Sequence, residues 1–232
     1  MTTKGFIFDL DGVIVDTAKY HFMAWNDLAN SLGIAFSEAQ NEQLKGVSRV
    51  DSLKKILDWG NITLTDQEFA SRMTSKNQEY LSYIEQMNES EILPGVLNAL
   101  LYIQSKGHLI GLGSASKNAR LILEKVGLIS HFDCIIDGTD VTRAKPDPEV
   151  FLKAAGALRL NPDHCIVFED AAAGIQAANA ANMISIGIGN EEFLFEADLV
   201  LSGMKEIDES MIDTLVWSNS KSEFKKHKQL FK

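Results

Sequence analysis

The run Gly5-Phe6-Ile7-Phe8-Asp9-Leu10-Asp11-Gly12 ends an apolar segment in two carboxylates one residue apart. Alternate side chains of an extended chain share a face, so Asp9 and Asp11 point the same way if the strand continues, and Gly12 lets the backbone turn at once. One carboxylate can then attack while the other moves protons. The structural alternative is an Asp-rich turn closing a strand, because Asp and Gly are common turn residues. A second acid pair, Glu169-Asp170, leaves the apolar run Val167-Phe168. Solvation alone explains that pattern poorly, and it suits a hard cation.

Magnesium takes oxygen ligands and keeps substrate and water in its shell. Carboxylates from Asp9, Glu169 and Asp170 with a backbone carbonyl meet that demand, Glu169 reaching the ion through water. The lack of clustered His and Cys argues against structural zinc. Lys145 stands before Pro146 at a helix start, where a fixed cation neutralises a transferring phosphoryl group; an ordinary surface lysine is the alternative. The segment Gly113-Ser114-Ala115-Ser116-Lys117-Asn118 joins glycine, hydroxyls and a helix start, as an anion site would, although plain capping by Ser116 also accounts for it.

These residues need strands to aim them. Short apolar runs at 109–113, 134–136, 165–168, 184–188 and 199–201 alternate with helical spacing, which predicts a doubly wound, parallel α/β sheet. Between strand one and these runs, residues 17–90 show helical periodicity at His21, Trp25, Leu28 and Leu32 and again at Leu53, Ile56 and Leu57. Thr65 with Glu68 forms a capping-box pattern that opens a helix with Phe69, Met73, Tyr80 and Ile84 on its apolar face. The expected organisation is an α/β catalytic core of residues 1–16 and 91–232 interrupted by a helical cap, 17–90. The two chain crossings serve as hinges for closure over the catalytic edge.

With 232 residues and 45% hydrophobic content the chain can bury a substantial core, and its formal charge of −10 argues against nonspecific nucleic-acid binding. Any phosphate site must be locally basic. Cys134 and Cys165 lie in apolar runs and read as reduced core residues. The N-terminus lacks a signal-peptide pattern and no apolar run spans a membrane, so a cytoplasmic, soluble protein is expected, monomeric by default. Lys221, Lys225, Lys226, Lys228 and Lys232 read as a frayed, solvated terminal helix.

The ordered set Asp9-x-Asp11-Gly12, Ser114, Lys145-Pro146 and Glu169-Asp170 resembles the haloacid dehalogenase superfamily of phosphotransferases, over nearly the whole chain. The resemblance implies a Rossmann-like core, Mg2+, Asp9 as the nucleophile that forms an aspartyl phosphate, and Asp11 as general acid/base with its carbonyl on the metal. Ser114 and Lys145 would hold the phosphoryl oxygens. Thr17, His21, Trp25, Lys76 and the run Gln43-Leu44-Lys45-Gly46-Val47-Ser48-Arg49-Val50-Asp51-Ser52-Leu53 are similar to sugar-phosphate mutases within that superfamily, as is the stretch through Ala115 to Asn118. By that similarity Arg49, Ser116 and Asn118 grip the phosphate not being transferred, and a hydrogen bond from His21 at the hinge to Asp11 couples substrate-induced closure to positioning of the acid/base. Trp25, Leu44, Val47, Ser52 and Lys76 shape the sugar pocket, with the 46–48 backbone on its hydroxyls.

Taken singly, each has a plainer reading: His21 and Trp25 as core, Arg49 as a surface charge, Lys76 as solvated. The implied reaction interconverts β-D-glucose 1-phosphate and D-glucose 6-phosphate through β-glucose 1,6-bisphosphate. The rivals are a sugar-phosphate phosphatase and a noncatalytic sugar-phosphate-binding protein. Ala171 departs from the serine often found there in such mutases.

Overall fold

The strands are β1 (Gly5–Phe8), β2 (Leu109–Gly113), β3 (Cys134–Ile136), β4 (Cys165–Glu169), β5 (Ile184–Ile188) and β6 (Leu199–Leu201). In the computed structural model, which describes residues 3–218 and 220–227, they form one parallel six-stranded sheet in the order β3-β2-β1-β4-β5-β6. The chain leaves β1 toward β2 and β3, then crosses back to β4 on the other side. That reversal makes the carboxyl end of β1 a topological switch point, the place where open α/β sheets bind ligands. Register fixes what meets there: Phe8 lies opposite both Leu112 and Phe168, so the residues that follow emerge side by side.

Strand alternation decides which helices cover which face. Phe6 and Phe8 of β1 belong to one core cluster and Ile7 to the other. The Phe8 and Phe168 rings stack at 4.7 Å, and each fully buried Phe contributes about 2–3 kcal/mol of burial free energy. Helices α1 (Ala18–Ser31), α2 (Glu38–Glu42), α3 (Arg49–Gly60), α4 (Asp66–Ile84) and α5 (Val96–Ser105) all precede β2. The later helices are α6 (Ala119–Lys125), α7 (Glu149–Ala157), α8 (Ala172–Ala180), α9 (Glu209–Trp217) and α10 (Lys221–His227). Apolar stripes of α5, α6 and α9 cover the phenylalanine face, while Phe151 and Ala154 of α7 with Ala177 and Ala178 of α8 cover the other.

Residues 18–84 are helices and turns among which Trp25, Leu28, Leu53, Ile56 and Leu57 build a hydrophobic cluster of their own. Ala24, Tyr80 and Ile84 instead join the main core, so α1 and α4 tie this block to the sheet. The capping box is present: Glu68 N donates to Thr65 Oγ1 at 3.3 Å, and Thr65 N to Glu68 Oε2 at 2.8 Å.

Two expectations need correction. The strand placed at 165–168 extends through Glu169, which pairs with Gly187. Lys221 is not solvated: its Nζ donates to Asn179 Oδ1 and Met183 O and sits 2.8 Å from Asp198, while Phe224 is buried. Lys225 and Lys226 are exposed, and Lys228 and Lys232 lie outside the described residues. Cys134 and Cys165 are free thiols, as expected. No described helix is long and apolar enough to cross a membrane.

Candidate active site

Asp9 is the first residue past β1, and its N–H still pairs with Phe168 O at 2.9 Å, so the sheet itself orients the side chain. Its Oδ2 accepts from Asp11 N at 3.0 Å and its Oδ1 from Lys145 Nζ at 2.6 Å. The same ammonium donates at 2.6 Å to Glu169 Oε1. Lys145 is buried, which alone would lower its pKa, yet Asp9 and Glu169 together raise it, so the cation is fixed. The Lys145–Pro146 peptide that delivers it is cis. Glu169 is fully buried, with Oε2 accepting from Ala171 N at 2.8 Å. A Cβ at Gly174 would stand 1.8 Å from Glu169 Oε1, so helix α8 approaches this carboxylate as only glycine permits. Gly12 turns the chain at φ +79, and a Cβ there would lie 2.2 Å from Asp170 Oδ2.

The acids press on one another. Burial and the Asp9 charge raise Asp11 to about 6, against the opposing hydrogen bond from the Thr17 hydroxyl. Glu169 and Asp170 are likewise raised, by burial first, with Lys145 opposing at Glu169 and Lys45, 3.5 Å from Asp170, opposing there. A divalent cation would relieve this repulsion. No trio of His, Cys, Asp or Glu side chains among the described residues forms a complete cage. Magnesium needs none, taking one or two carboxylates with water and phosphate oxygens. The donors fit that ion: Asp9, Asp170 and the Asp11 carbonyl, with Glu169 behind them.

These groups open onto a cavity of about 400 Å³, a size that suits a small-molecule ligand. From the sheet edge it is lined by Asp9, Asp11, Ser114, Lys145 and Asp170, and beside them by Ala115, Ser116 and Asn118. A ladder of bonds stiffens that loop: Ser116 N donates to Ser114 Oγ at 3.1 Å, Asn118 N to Ser116 Oγ at 3.2 Å, and Gly138 N to Ser116 O at 3.1 Å. The helical block supplies His21, Trp25 and Lys76, then Leu44, Gly46 and Val47, and the start of α3 with Ser48, Arg49 and Ser52. Ser48 caps that helix, accepting from Asp51 N at 3.2 Å.

Two expected site residues stand behind the lining. Thr17 is fully buried and spends its hydroxyl on Asp11 Oδ1, so it supports the acid rather than touching a ligand. Glu169 is shielded behind Lys145. His21 Nε2 stands 3.8 Å from Asp11 Oδ1, the pair expected to be coupled by closure, while Nδ1 lies 3.2 Å from Lys76 Nζ.

Sequence reasoning missed Lys45, Tyr80 and Arg143, which also line the cavity. Tyr80 sits under His21 at 4.3 Å between ring centroids, its buried hydroxyl without a hydrogen-bond partner among the described residues. Its place on an apolar helical face gave no sign of this. Lys45 lies within a recognisable run, and its salt bridge to a strand-end acid was the missing signal.

Lys76 is 2% exposed and stacks over Trp25 at 4.4 Å and Tyr80 at 4.7 Å. Burial, then the like charge of Arg49, lowers its pKa to about 7. An unfolded chain therefore holds more protons at this site between about pH 7 and 10.5, and the group's contribution to stability rises with pH through that window. Lys76→Met removes this dependence. Thermal melts should show the Tm of the variant minus that of the wild type falling as pH rises from about 7 to about 10.

A parallel sheet carrying this acid and lysine set at its switch point defines a class. Residues 3–182 match the family model for haloacid dehalogenase-like hydrolase, and the chain belongs to that family. Within it, the chain is 42% identical over 200 residues to a β-phosphoglucomutase of Bacillus subtilis (strain 168), spanning 85% of this chain and 88% of that protein. A crystal structure of β-phosphoglucomutase from Clostridium difficile matches with a TM-score of 0.89 at 43% identity, covering 93% of this chain and 97% of that one. Phosphatases are relatives too: fructose-1-phosphate phosphatase YqaB of Escherichia coli (strain K12) is 30% identical over 184 residues, 79% of this chain and 95% of that protein.

Proposed function

We propose that this protein interconverts β-D-glucose 1-phosphate and D-glucose 6-phosphate through an aspartyl phosphate on Asp9 and β-glucose 1,6-bisphosphate. The observation that carries the reading is Arg49, half-buried in the wall of the Asp9 cavity with no ion-pair partner among the described residues. A hydrolase needs one phosphate site. An unpaired guanidinium in the same cavity, beside Ser116 and Asn118, suits a second phosphate on the same molecule.

In the first half-reaction Asp11 takes the proton of the C6 hydroxyl as that oxygen bonds to phosphorus and the bond to Asp9 breaks, freeing its carboxylate. The bisphosphate then reorients. Asp9 attacks the C1 phosphate, Asp11 returns its proton to the departing C1 oxygen, and glucose 6-phosphate leaves while Asp9 is phosphorylated again. Ser114 and Lys145 hold the phosphoryl group in transfer, and Arg49, Ser116 and Asn118 hold the other. Magnesium, held by Asp9, Asp170 and the Asp11 carbonyl, would neutralise charge at the transferring phosphate. Residues 17–90 serve as a cap whose closure excludes water and protects the acyl phosphate.

The test is an assay of β-glucose 1-phosphate with magnesium and a trace of glucose 1,6-bisphosphate, following glucose 6-phosphate and inorganic phosphate together. Glucose 6-phosphate without matching phosphate release is expected. Free phosphate as the main product would replace the mutase reading with the phosphatase one.

A further inference from the structure

Asn77 on α4 lies outside the cavity lining, yet its Oδ1 accepts a hydrogen bond from Asn118 Nδ2 at 3.3 Å, across 41 residues of sequence. Asn118 occupies the position before α6 where a side chain ordinarily caps the helix, and its side chain makes no such cap. Its backbone is instead pinned by Ser116, and its amide reaches across to the helical block. A primary amide has two N–H donors. With one engaged by Asn77, the other is left for a ligand in the cavity that Asn118 lines.

Asn77 follows Lys76 and stands four residues after Met73, at the edge of the helical face that carries Met73, Lys76 and Tyr80 into the cavity. The bond therefore exists only while α4 rests against the loop after β2.

We propose that Asn77 is a positioning residue for the distal-phosphate site, an inference that rests on the function proposed above. By holding the Asn118 amide it makes the grip on the non-transferring phosphate depend on closure of the helical block. Once the block is closed the amide is already oriented, so less freedom is lost when it meets the phosphate.

The test is a double-mutant cycle read by KM and kcat for β-glucose 1-phosphate at saturating bisphosphate. Asn77→Ala should raise KM about fivefold, the scale of one lost hydrogen bond, with kcat changed less than about twofold. In an Asn118→Ala background the same change should add less than about 1.5-fold, because its route of action is gone. An equal factor in both backgrounds, or a lowered Tm with unchanged KM, overturns the inference. Asn77→Ser, which shortens the arm, is read in the same cycle if the alanine variant does not fold. Wild-type protein that makes no glucose 6-phosphate fails at the control, removing the functional reading and this inference with it.

Discussion

Asp9→Asn is expected to yield a folded protein that takes up no covalent phosphate from acetyl phosphate and loses at least about 10⁴-fold in mutase turnover. Forming an acyl phosphate needs a carboxylate oxygen with a free lone pair and negative charge, and an amide oxygen supplies too little nucleophilicity. The fold should survive because Lys145 keeps Glu169 as a partner at 2.6 Å. Removing one charge also eases the repulsion that raises Asp11, Glu169 and Asp170. A Tm equal to or above that of the wild type is thus part of the expectation. Intact-protein mass spectrometry checks the chemistry: a phosphoryl adduct persisting in the variant would move the nucleophile elsewhere.

The same charge accounting explains how a chain of formal charge −10 accepts an anionic substrate. Six basic side chains line the cavity, Lys45, Arg49, Lys76, Lys117, Arg143 and Lys145, against four acids, Asp9, Asp11, Asp51 and Asp170, with Lys76, lowered to about 7, carrying only part of its charge near neutrality. A bound magnesium ion would tilt the balance further. The global field repels anions, but a concave, partly desolvated wall is governed by its nearest charges.

How much of this was legible in the sequence depends on the range of the forces involved. The strands were readable because parallel strands are buried on both faces and become short unbroken apolar runs. Their order was not, since nothing local distinguishes the neighbours of β1. Asp9, Lys145 and the Glu169-Asp170 pair were readable as polar residues at strand ends and a helix start.

Contacts made by tertiary packing were not readable. Tyr80 looks like any apolar helical position until α4 lies on α1 and brings its ring onto His21. Thr17, grouped with the cap residues in the sequence, gives its hydroxyl to Asp11. Lys221 looked like a member of a lysine-rich tail, yet Asp198 and Asn179 draw it in, and a buried carboxylate 23 residues earlier leaves no trace in local composition.

Asp11→Asn should separate two kinds of phosphoryl transfer. Transfer between Asp9 and a sugar hydroxyl is expected to slow by about 10²–10⁴-fold, the usual worth of a positioned acid/base, while uptake from acetyl phosphate falls by less than about tenfold. The difference lies in the leaving group. Acetate departs without a proton, whereas a sugar oxygen departs as a costly alkoxide unless a proton meets it, and attacks poorly unless one is removed. A carboxyl raised to about 6 by burial and by Asp9 can be found in either form near neutrality, as a group that alternates between donating and accepting must be. The amide keeps an oxygen for the Thr17 hydroxyl, so the support of the side chain is retained. Rapid-quench rates for both phosphoryl donors measure the split. Equal losses for acetyl phosphate and for β-glucose 1,6-bisphosphate would show that the variant damages the geometry around Asp9, and would end the acid/base assignment.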